Sequence, residues 1–583
     1  MRYTDTFAKE LVEKMTLDQK VGAVLTLGFA GVVPKPYIYD FIEKYHCGGL
    51  RLSCDMRTFG SYVDPKSGKT VVDVERQTGI KYKQTAPTCT AGEYAAVLAD
   101  LQMAARKRSL GIPLHFSFDQ EGGSSADFCF GGVNIFPKPM GLTATGDKEL
   151  TYKAALETAR QSRAVGFNWV HSPVLDICSE PRNPEIYTRS YSDDPAVVAD
   201  YAAATCRGLR DGGVIATGKH FPGRGHSCQD AHFGVPVIDV DRETMERREL
   251  RPYRALIAQG LLPSIMIAHS IFPAIDPDNI ATVSRKVITG LLREELGFEG
   301  VITTDSMTMG AIATRYGVAN ACAMALAAGA DLVLMKAENE LVGETVDTIK
   351  AFVADGRLPI EELNDKVYRI LALKHQYGLF EEPDAARDPE REVRDPEREV
   401  RDPAVKALAA EIARKSILVA RDADKLLPLP TDKKILVVEQ KVKEYNDMQW
   451  HSGILYEACM RQSRHVDYQE TAYSYDDADK TAIMARARDY DLLVITSYFL
   501  RGKLSNREWL EGFLADCKTP AVIVTNTPFE EISIPKNARN VVITFATSPA
   551  NVKATAEVLF GKCKAEGKMP VKNGISVSAE AMV

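Results

Sequence analysis

Short apolar runs of β-forming residues recur eight times between Val21 and Met335, and most of the stretches between them carry helical spacing. The runs are VGAVLTLG from Val21, GGLRL from Gly48, LHFSFD from Leu114, FNWVHSPVL from Phe167, VIATGKH from Val214, SIMIAHS from Ser264, GVITTD from Gly300 and DLVLM from Asp331. A strand that is apolar on both faces leaves no side for water, which is the condition of a parallel sheet covered by crossover helices. Connecting segments such as Asp239 to Ala258 are long enough for right-handed crossovers. Eight such units predict an α/β fold closed as a (β/α)8 barrel of the TIM type. An open doubly wound sheet is the alternative, disfavoured because the count reaches eight.

After the eighth run the pattern breaks. RDPEREV at Arg387 to Val393 repeats at Arg394 to Val400, RDPAV follows, and Pro389, Pro396 and Pro403 recur at the same place in each copy. Dense charge of both signs leaves little to bury and the prolines exclude a continuous helix, so residues 381–404 read as a solvated linker. It divides an expected barrel domain over 1–380 from a second unit over 405–583. There SILVA from Ser416, ILVVE from Ile435, DLLVI from Asp491, AVIVT from Ala521 and VVITF from Val541 predict a smaller α/β sandwich with about five mostly parallel strands. The long polar connection from Cys54 to Thr90 is expected to form a lid or rim over one end of the barrel.

Composition narrows the function classes. Across 583 residues, 72 Lys and Arg stand against 79 Asp and Glu, a net charge of −7, so there is no basic footprint for nucleic acid or an anionic membrane. The 11 Cys include no CxxC pair, which disfavours a disulfide framework or a structural zinc site and favours reduced, buried thiols. The first twenty residues lack the apolar core of a secretory signal, and Val21 to Val33 is too short to span a bilayer. A cytoplasmic enzyme is the expectation.

In a barrel of this kind the loops after the strands converge on one face, so residues at strand ends share a site whatever their separation in sequence. The run ends supply Asp119 with Glu121, Asp176 followed by Arg189, Lys219 with His220, then His269 and Asp305. Charge and imidazole from five strands on one rim point to a site more than to scattered structural hydrogen bonds. The densest stretch is KHFPGRGHSCQDAHFGVP, Lys219 to Pro236, in which Asp230 stands two residues before His232. A carboxylate against one imidazole nitrogen sets the tautomer, raises the pKa from ~6.5 and frees the other nitrogen to move a proton. His232 with Asp230 is therefore a candidate general acid/base. Asp305, in VITTDSMTMGAI at the end of a buried strand, is a candidate nucleophile or stabiliser of a cationic carbon.

Competing motifs fail on a residue or on spacing, or are absent. GRGHSC has Cys228 where a dinucleotide loop needs its last Gly, and PKSGKT at Pro65 to Thr70 has Val63 where a phosphate loop needs its first. His220, His226, Cys228 and His232 match no standard zinc spacing, and no GxSxG elbow is present.

These residues resemble glycoside hydrolase family 3, specifically its β-N-acetylglucosaminidase branch. The resemblance runs from Leu11 to about Phe380 through LVEKMTLDQKVG, FSFDQEGG, SPVLDI, RSYSDDP, KHFPGRGHSCQDAHFGVP, IMIAHS and VITTDSMTMGAI. KHFPG followed by DxH is the specific part, and ILVARDADKLLPLP and GKMPV resemble the second α/β domain of longer members. The resemblance implies a retaining double displacement. Asp305 would attack the anomeric carbon, and His232 paired with Asp230 would protonate the leaving oxygen and then deprotonate water. Asp119, Arg189, Lys219 and His220 would hold the sugar hydroxyls. It implies a small carbohydrate substrate and no metal or organic cofactor.

Two places depart from the family pattern. After FSFDQEGG the usual arginine-bearing RVxR reads SSADF, with Asp127 at the second arginine, and the usual GHGDT reads GRGHS, bringing in Arg224 and His226. The expected activity is release of terminal N-acetylglucosamine from muropeptide or chitin-derived fragments. A phosphorylase or β-glucosidase of the same family is the enzymatic alternative. A non-catalytic sugar-binding protein is the alternative of another class, disfavoured because Asp305, Asp230 and His232 are retained together.

Overall fold

The computed structural model describes residues 4–53, 61–63, 70–72, 89–129, 131–231, 234–336, 341–381, 395–440, 453–500, 505–578 and 581–583, with 61–63 and 70–72 described through their backbone alone. Each of the eight apolar runs overlaps a barrel strand. They are β1 (Leu25–Ala30), β2 (Gly49–Ser53), β3 (His115–Phe118), β4 (Trp169–Val170), β5 (Ile215–Phe221), β6 (Ser264–Ile267), β7 (Val301–Ser306) and β8 (Leu332–Met335). The strands close in sequence order, with β8 paired to β1, and every neighbouring pair is parallel.

Two boundaries differ from expectation for local reasons. Thr16 and Gln19 form a capping box that starts a helix at Leu17–Ala23, so the apolar Val21 to Ala23 belong to that helix and the first strand begins at Leu25. The expected crossover from Asp239 to Ala258 is two short helices, Arg242–Arg247 and Arg251–Ala258, the second carrying Pro252 in its first turn. The bore is also less apolar than the runs imply. His115 Nε2 lies 2.7 Å from Thr26 Oγ1, and Trp169 Nε1 donates to Thr217 Oγ1 at 2.7 Å, so buried polar groups pair across strands. Glycine at position 49 makes room for this layer, since a Cβ there would lie 2.2 Å from the His115 ring.

The linker expectation is corrected where the chain is described. From Asp395 onward the segment is helical, Pro396–Val400 and then Pro403–Ser416, with Asp395 and Asp402 accepting from Glu397 N–H and Ala404 N–H. Each proline sits in a first turn, where its missing N–H is not needed, so Asp-Pro starts a helix in each case. Val400 is fully buried in the barrel core and Glu397 accepts the Gly92 N–H at 2.9 Å, which docks this stretch on the barrel. Residues 382–394 lie outside the described residues. So does the expected lid from Cys54 to Thr90, apart from the backbone of an antiparallel pairing, Ser61–Val63 with Thr70–Val72, and residues 89–90.

The second sheet has six strands, β9 (Leu418–Asp422), β10 (Ile435–Gln440), β11 (Val466–Thr471), β12 (Leu492–Ser497), β13 (Ala521–Thr525) and β14 (Asn540–Ile543). Their order is β9-β14-β13-β12-β10-β11, antiparallel only between β9 and β14. The strand absent from the sequence reading is β11, an edge strand whose exposed Asp467 and Glu470 interrupt the apolar run by which the others are recognised.

This sheet braces the barrel rim. Met140, Cys178 and Tyr187 join its apolar cluster, and Phe136, Leu142 and Leu150 pack with Val405, Ala409 and Ile412. The tail holds the loop after β4, where Ser192 Oγ donates to Pro570 O at 2.6 Å and Asp193 Oδ2 accepts Lys572 and Asn573 N–H at 2.8 and 2.9 Å. Among the described residues every cysteine is free, most are buried, and Cys228 is the exposed one.

Candidate active site

The barrel gathers the strand-end residues at the C-terminal face in two linked clusters. The first surrounds Asp119, just past β3. Arg51 on β2, fully buried, donates from Nη2 to Asp119 Oδ2 and Asp127 Oδ2, both at 2.5 Å, and Asp127 Oδ2 also accepts the Asp119 N–H at 2.7 Å. Lys219 on β5 donates to Asp119 Oδ1 at 2.8 Å and stands 2.5 Å from Glu121 Oε1. Arg189 clamps Glu121 through Nε and Nη2, both at 2.8 Å, and Lys336, just past β8, reaches Asp119 Oδ2 at 3.3 Å.

Charge in this cluster is compensated, carboxylate by cation. Burial opposes ionisation of Asp119, but Lys219, Arg51 and Lys336 outweigh it and hold the carboxyl well below its usual range. Burial likewise opposes ionisation of Glu121, yet Arg189 and Lys219 hold it down at about 2. His171, 3.7 Å from Asp119, is pushed down by burial to about 4 and is neutral at pH 7. Arg189 spends three N–H groups on Glu121 and the Glu185 carbonyl, and its Nη1 also stands 3.8 Å from the Glu185 carboxylate, so two N–H groups make no hydrogen bond among the described residues. Asp119, with its side chain 25% exposed, is the member most open to a ligand.

The second cluster centres on Asp305 at the end of β7. His220 stands beside it, Nε2 to Oδ2 3.9 Å, and its Nδ1 donates to Asp176 Oδ2 at 2.6 Å. With Nδ1 carrying the proton, Nε2 faces Asp305 as an acceptor. Burial, reinforced by Arg224, keeps the imidazole well below its usual pKa, and burial pushes the Asp176 carboxyl up to about 6 although Arg224 opposes it. The Asp305 carboxylate accepts the Ser306 N–H at 2.7 Å and lies 3.4 Å from Arg224 Nη1. Gly225 lets this loop pass close to β4's exit, since a Cβ there would lie 1.7 Å from the Ile177 carbonyl oxygen.

The expected site residues are distributed unequally. Asp119, Lys219, Arg189, His220 and Asp305 meet at one rim. Asp230 is buried on the loop beyond β5, where its carbonyl accepts the Gly234 N–H, and His232 lies outside the described residues. His269 is structural: Nε2 donates to the Ser306 carbonyl at 2.9 Å and Nδ1 pairs with Thr282 Oγ1 at 2.7 Å, which positions the turn after Asp305. His226 turns to Ser179, and among the described residues no group of His, Cys, Asp and Glu is arranged to hold a metal.

Sequence reasoning missed Arg51, Glu185, Lys336 and His171. Arg51 carried a signal, since a lone arginine in the run GGLRLS must find a carboxylate inside the barrel. A cleft of about 1030 Å³ opens at the opposite end of the strands, lined by residues such as Gly213, Pro263, Gly300 and Tyr368, and holds none of these side chains. No helix among the described residues is long and apolar enough to cross a membrane.

A β-hexosaminidase A of Pseudoalteromonas piscicida is 26% identical over 96% of this chain and 99% of its own length. A β-N-acetylglucosaminidase/β-glucosidase of Cellulomonas fimi is 28% identical over 83% of this chain and 87% of its own. The solved structure of a glycoside hydrolase family 3 β-N-acetylglucosaminidase from Paenibacillus sp. str. FPU-7 superposes with a TM-score of 0.83 at 29% identity, over 97% of this chain and all of that one. The sequence pattern of the glycosyl hydrolase family 3 N-terminal domain matches residues 71–373, more than half of the chain. The chain carries a closed barrel with carboxylates and cations gathered at its C-terminal rim, joined to a second α/β sheet, and the protein belongs to glycosyl hydrolase family 3 as a glycoside hydrolase.

Proposed function

We propose that this protein is a retaining exo-β-N-acetylglucosaminidase that removes terminal N-acetylglucosamine from small glycosides such as muropeptide or chitin fragments. The observation that carries the reading is the placement of Asp305 opposite Asp119 across the rim. Arg224 stands 3.4 Å and His220 3.9 Å from the Asp305 carboxylate, while Asp119 is ringed by Arg51, Lys219 and Lys336. The full-length similarity to a β-hexosaminidase supports the acetamido preference.

In this reading Asp305 attacks the anomeric carbon as the bond to the leaving oxygen breaks, giving a covalent glycosyl-enzyme. His232, with Asp230 as its expected partner, gives its proton to the leaving oxygen and then takes one from the water that releases the sugar. Asp119 accepts from sugar hydroxyls, the unspent N–H groups of Arg189 and the third Lys219 proton donate to them, and His220 Nε2 accepts. These contacts tighten as the ring flattens toward an oxocarbenium-like transition state, so they favour that state over the substrate. The muropeptide arm of the reading goes with a cytoplasmic recycling role.

The test is product analysis on chromogenic N-acetylglucosaminides and glucosides, with and without phosphate. N-acetylglucosamine as the product, independent of phosphate, is expected. Preferred glucoside turnover, or a sugar 1-phosphate formed at a phosphate-enhanced rate, refutes the specific activity. Asp305→Ala should abolish turnover in a folded protein, and His232→Ala should suffer most with poor leaving groups. Activity retained in Asp305→Ala refutes the nucleophile role, and a loss uniform across leaving groups refutes that of His232.

A further inference from the structure

We infer that Arg224 is a positioning residue for the nucleophile, its guanidinium steadying Asp305 while Glu185 holds the guanidinium. The inference rests on the reading of Asp305 as the nucleophile and adds a residue for which composition and strand pattern gave no role. Arg224 is 2% exposed, and a buried guanidinium requires counter-charge. It has two such partners on opposite sides, Glu185 Oε1 at 2.9 Å from Nη2 and Asp305 Oδ2 at 3.4 Å from Nη1.

Its backbone is pinned from the neighbouring loop, the N–H by Asp176 Oδ1 at 2.7 Å and the carbonyl by Asn183 Nδ2 at 3.1 Å. Both the backbone of Arg224 and, through Glu185, its guanidinium are thus tied to the loop after β4. Nε and Nη1 make no hydrogen bond among the described residues, so the contact with Asp305 is one of charge and leaves donors beside it.

This arrangement suits a carboxylate that loses its charge on becoming a glycosyl ester and regains it on hydrolysis. Glu185 neutralises Arg224 throughout, so the cation is never left buried without a partner when Asp305 is esterified. The same Glu185 reaches the loop of the proposed acid/base. Its Oε2 accepts the N–H of Ala231, between Asp230 and His232, at 3.3 Å, and the Ala231 carbonyl accepts the Ala311 N–H from the helix that follows Asp305. One ion pair thus ties the loops of the two proposed reacting groups together.

The readout that separates positioning from mere folding is the acid limb of the kcat/KM–pH profile. The groups around Asp305 are Arg224 and His220 from the β5 side, Asp176 behind His220, and His269 on the Ser306 carbonyl from β6. Lys336 is directed to Asp119 from β8, and Asp230 is buried on the loop beyond β5. Of these Arg224 is the cation in direct contact with Asp305. Arg224→Met should move the acid limb upward by about 1 to 3 pH units, with Arg224→Lys in between.

The double variant Arg224→Met with Glu185→Gln removes both charges, so it avoids an uncompensated buried carboxylate, and in a folded protein it should shift the acid limb in the same direction by less, because the more distant Glu185 charge that opposes Arg224 is lost with it. An unmoved acid limb in the folded double variant, whatever its rate, overturns the inference. Absence of any glycosidase activity in the unaltered protein would instead refute the functional reading and this one with it.

Discussion

Replacing Arg51 by methionine isolates the part of the site that holds Asp119 from beneath. The side chain is fully buried on β2 and one nitrogen, Nη2, serves both Asp119 and Asp127 at 2.5 Å. Removing one partner of a buried ion pair costs roughly 3 to 5 kcal/mol, because the remaining charge is uncompensated. Asp119 keeps Lys219 at 2.8 Å and Lys336 at 3.3 Å, so the cost falls mainly on Asp127, whose side chain is 11% exposed. Allowing for that residual exposure, Arg51→Met should destabilise by roughly 2 to 4 kcal/mol. Adding Asp127→Asn removes the stranded charge while keeping an acceptor for the Asp119 N–H, and should recover at least half of the loss. Guanidinium unfolding at pH 7 measures the stability, and KM should rise in the single variant as Asp119 shifts. A single variant within about 0.5 kcal/mol of the unaltered protein, or a double variant no better than the single, refutes the reasoning.

Two further predictions concern the surroundings of that cluster. Glu121 titrates near 2 in the folded protein against an ordinary 4.5, so its contribution of roughly 3 kcal/mol is fully present above pH 4.5 and is lost as pH falls from 4.5 toward 2. Unfolding midpoints measured from pH 6 to 3 should therefore fall less steeply in Glu121→Gln, and equal slopes refute the assignment. Phe499 meets Tyr187 edge to face at 5.3 Å, and Tyr187 opens the turn that carries Arg189. Phe499→Ala should cost about 3 kcal/mol in denaturant unfolding and raise KM, whereas unchanged KM refutes support of the site by the second sheet.

Legibility followed burial. The barrel strands could be read because parallel strands covered on both sides must be apolar, and β11 could not because an edge strand is free to carry Asp467 and Glu470. Asp119, Lys219, His220 and Asp305 were visible as polar ends of apolar runs. Lys336 stands at the same kind of run end, directly after DLVLM, whereas nothing in the local context of Glu185 distinguishes a buried partner from a solvated charge. Asp127, which the family pattern marks as the loss of an arginine, pairs with an arginine supplied from another strand, Arg51.

By itself the sequence determined the β/α alternation, the count of eight strands and the set of polar residues at their ends, because these depend on periodicity and on where each apolar run stops, while the pairing of β8 with β1 that closes the barrel is tertiary. Only the tertiary structure decided which charges neutralise which. Arg51 with Asp127 and Arg224 with Glu185 lie far apart in the chain, and the geometry that joins them is that of strands meeting around a barrel. It also decided that the charged repeat docks on the barrel from Asp395 onward, since a helix start at Asp-Pro becomes a buried contact only where a complementary surface receives Val400.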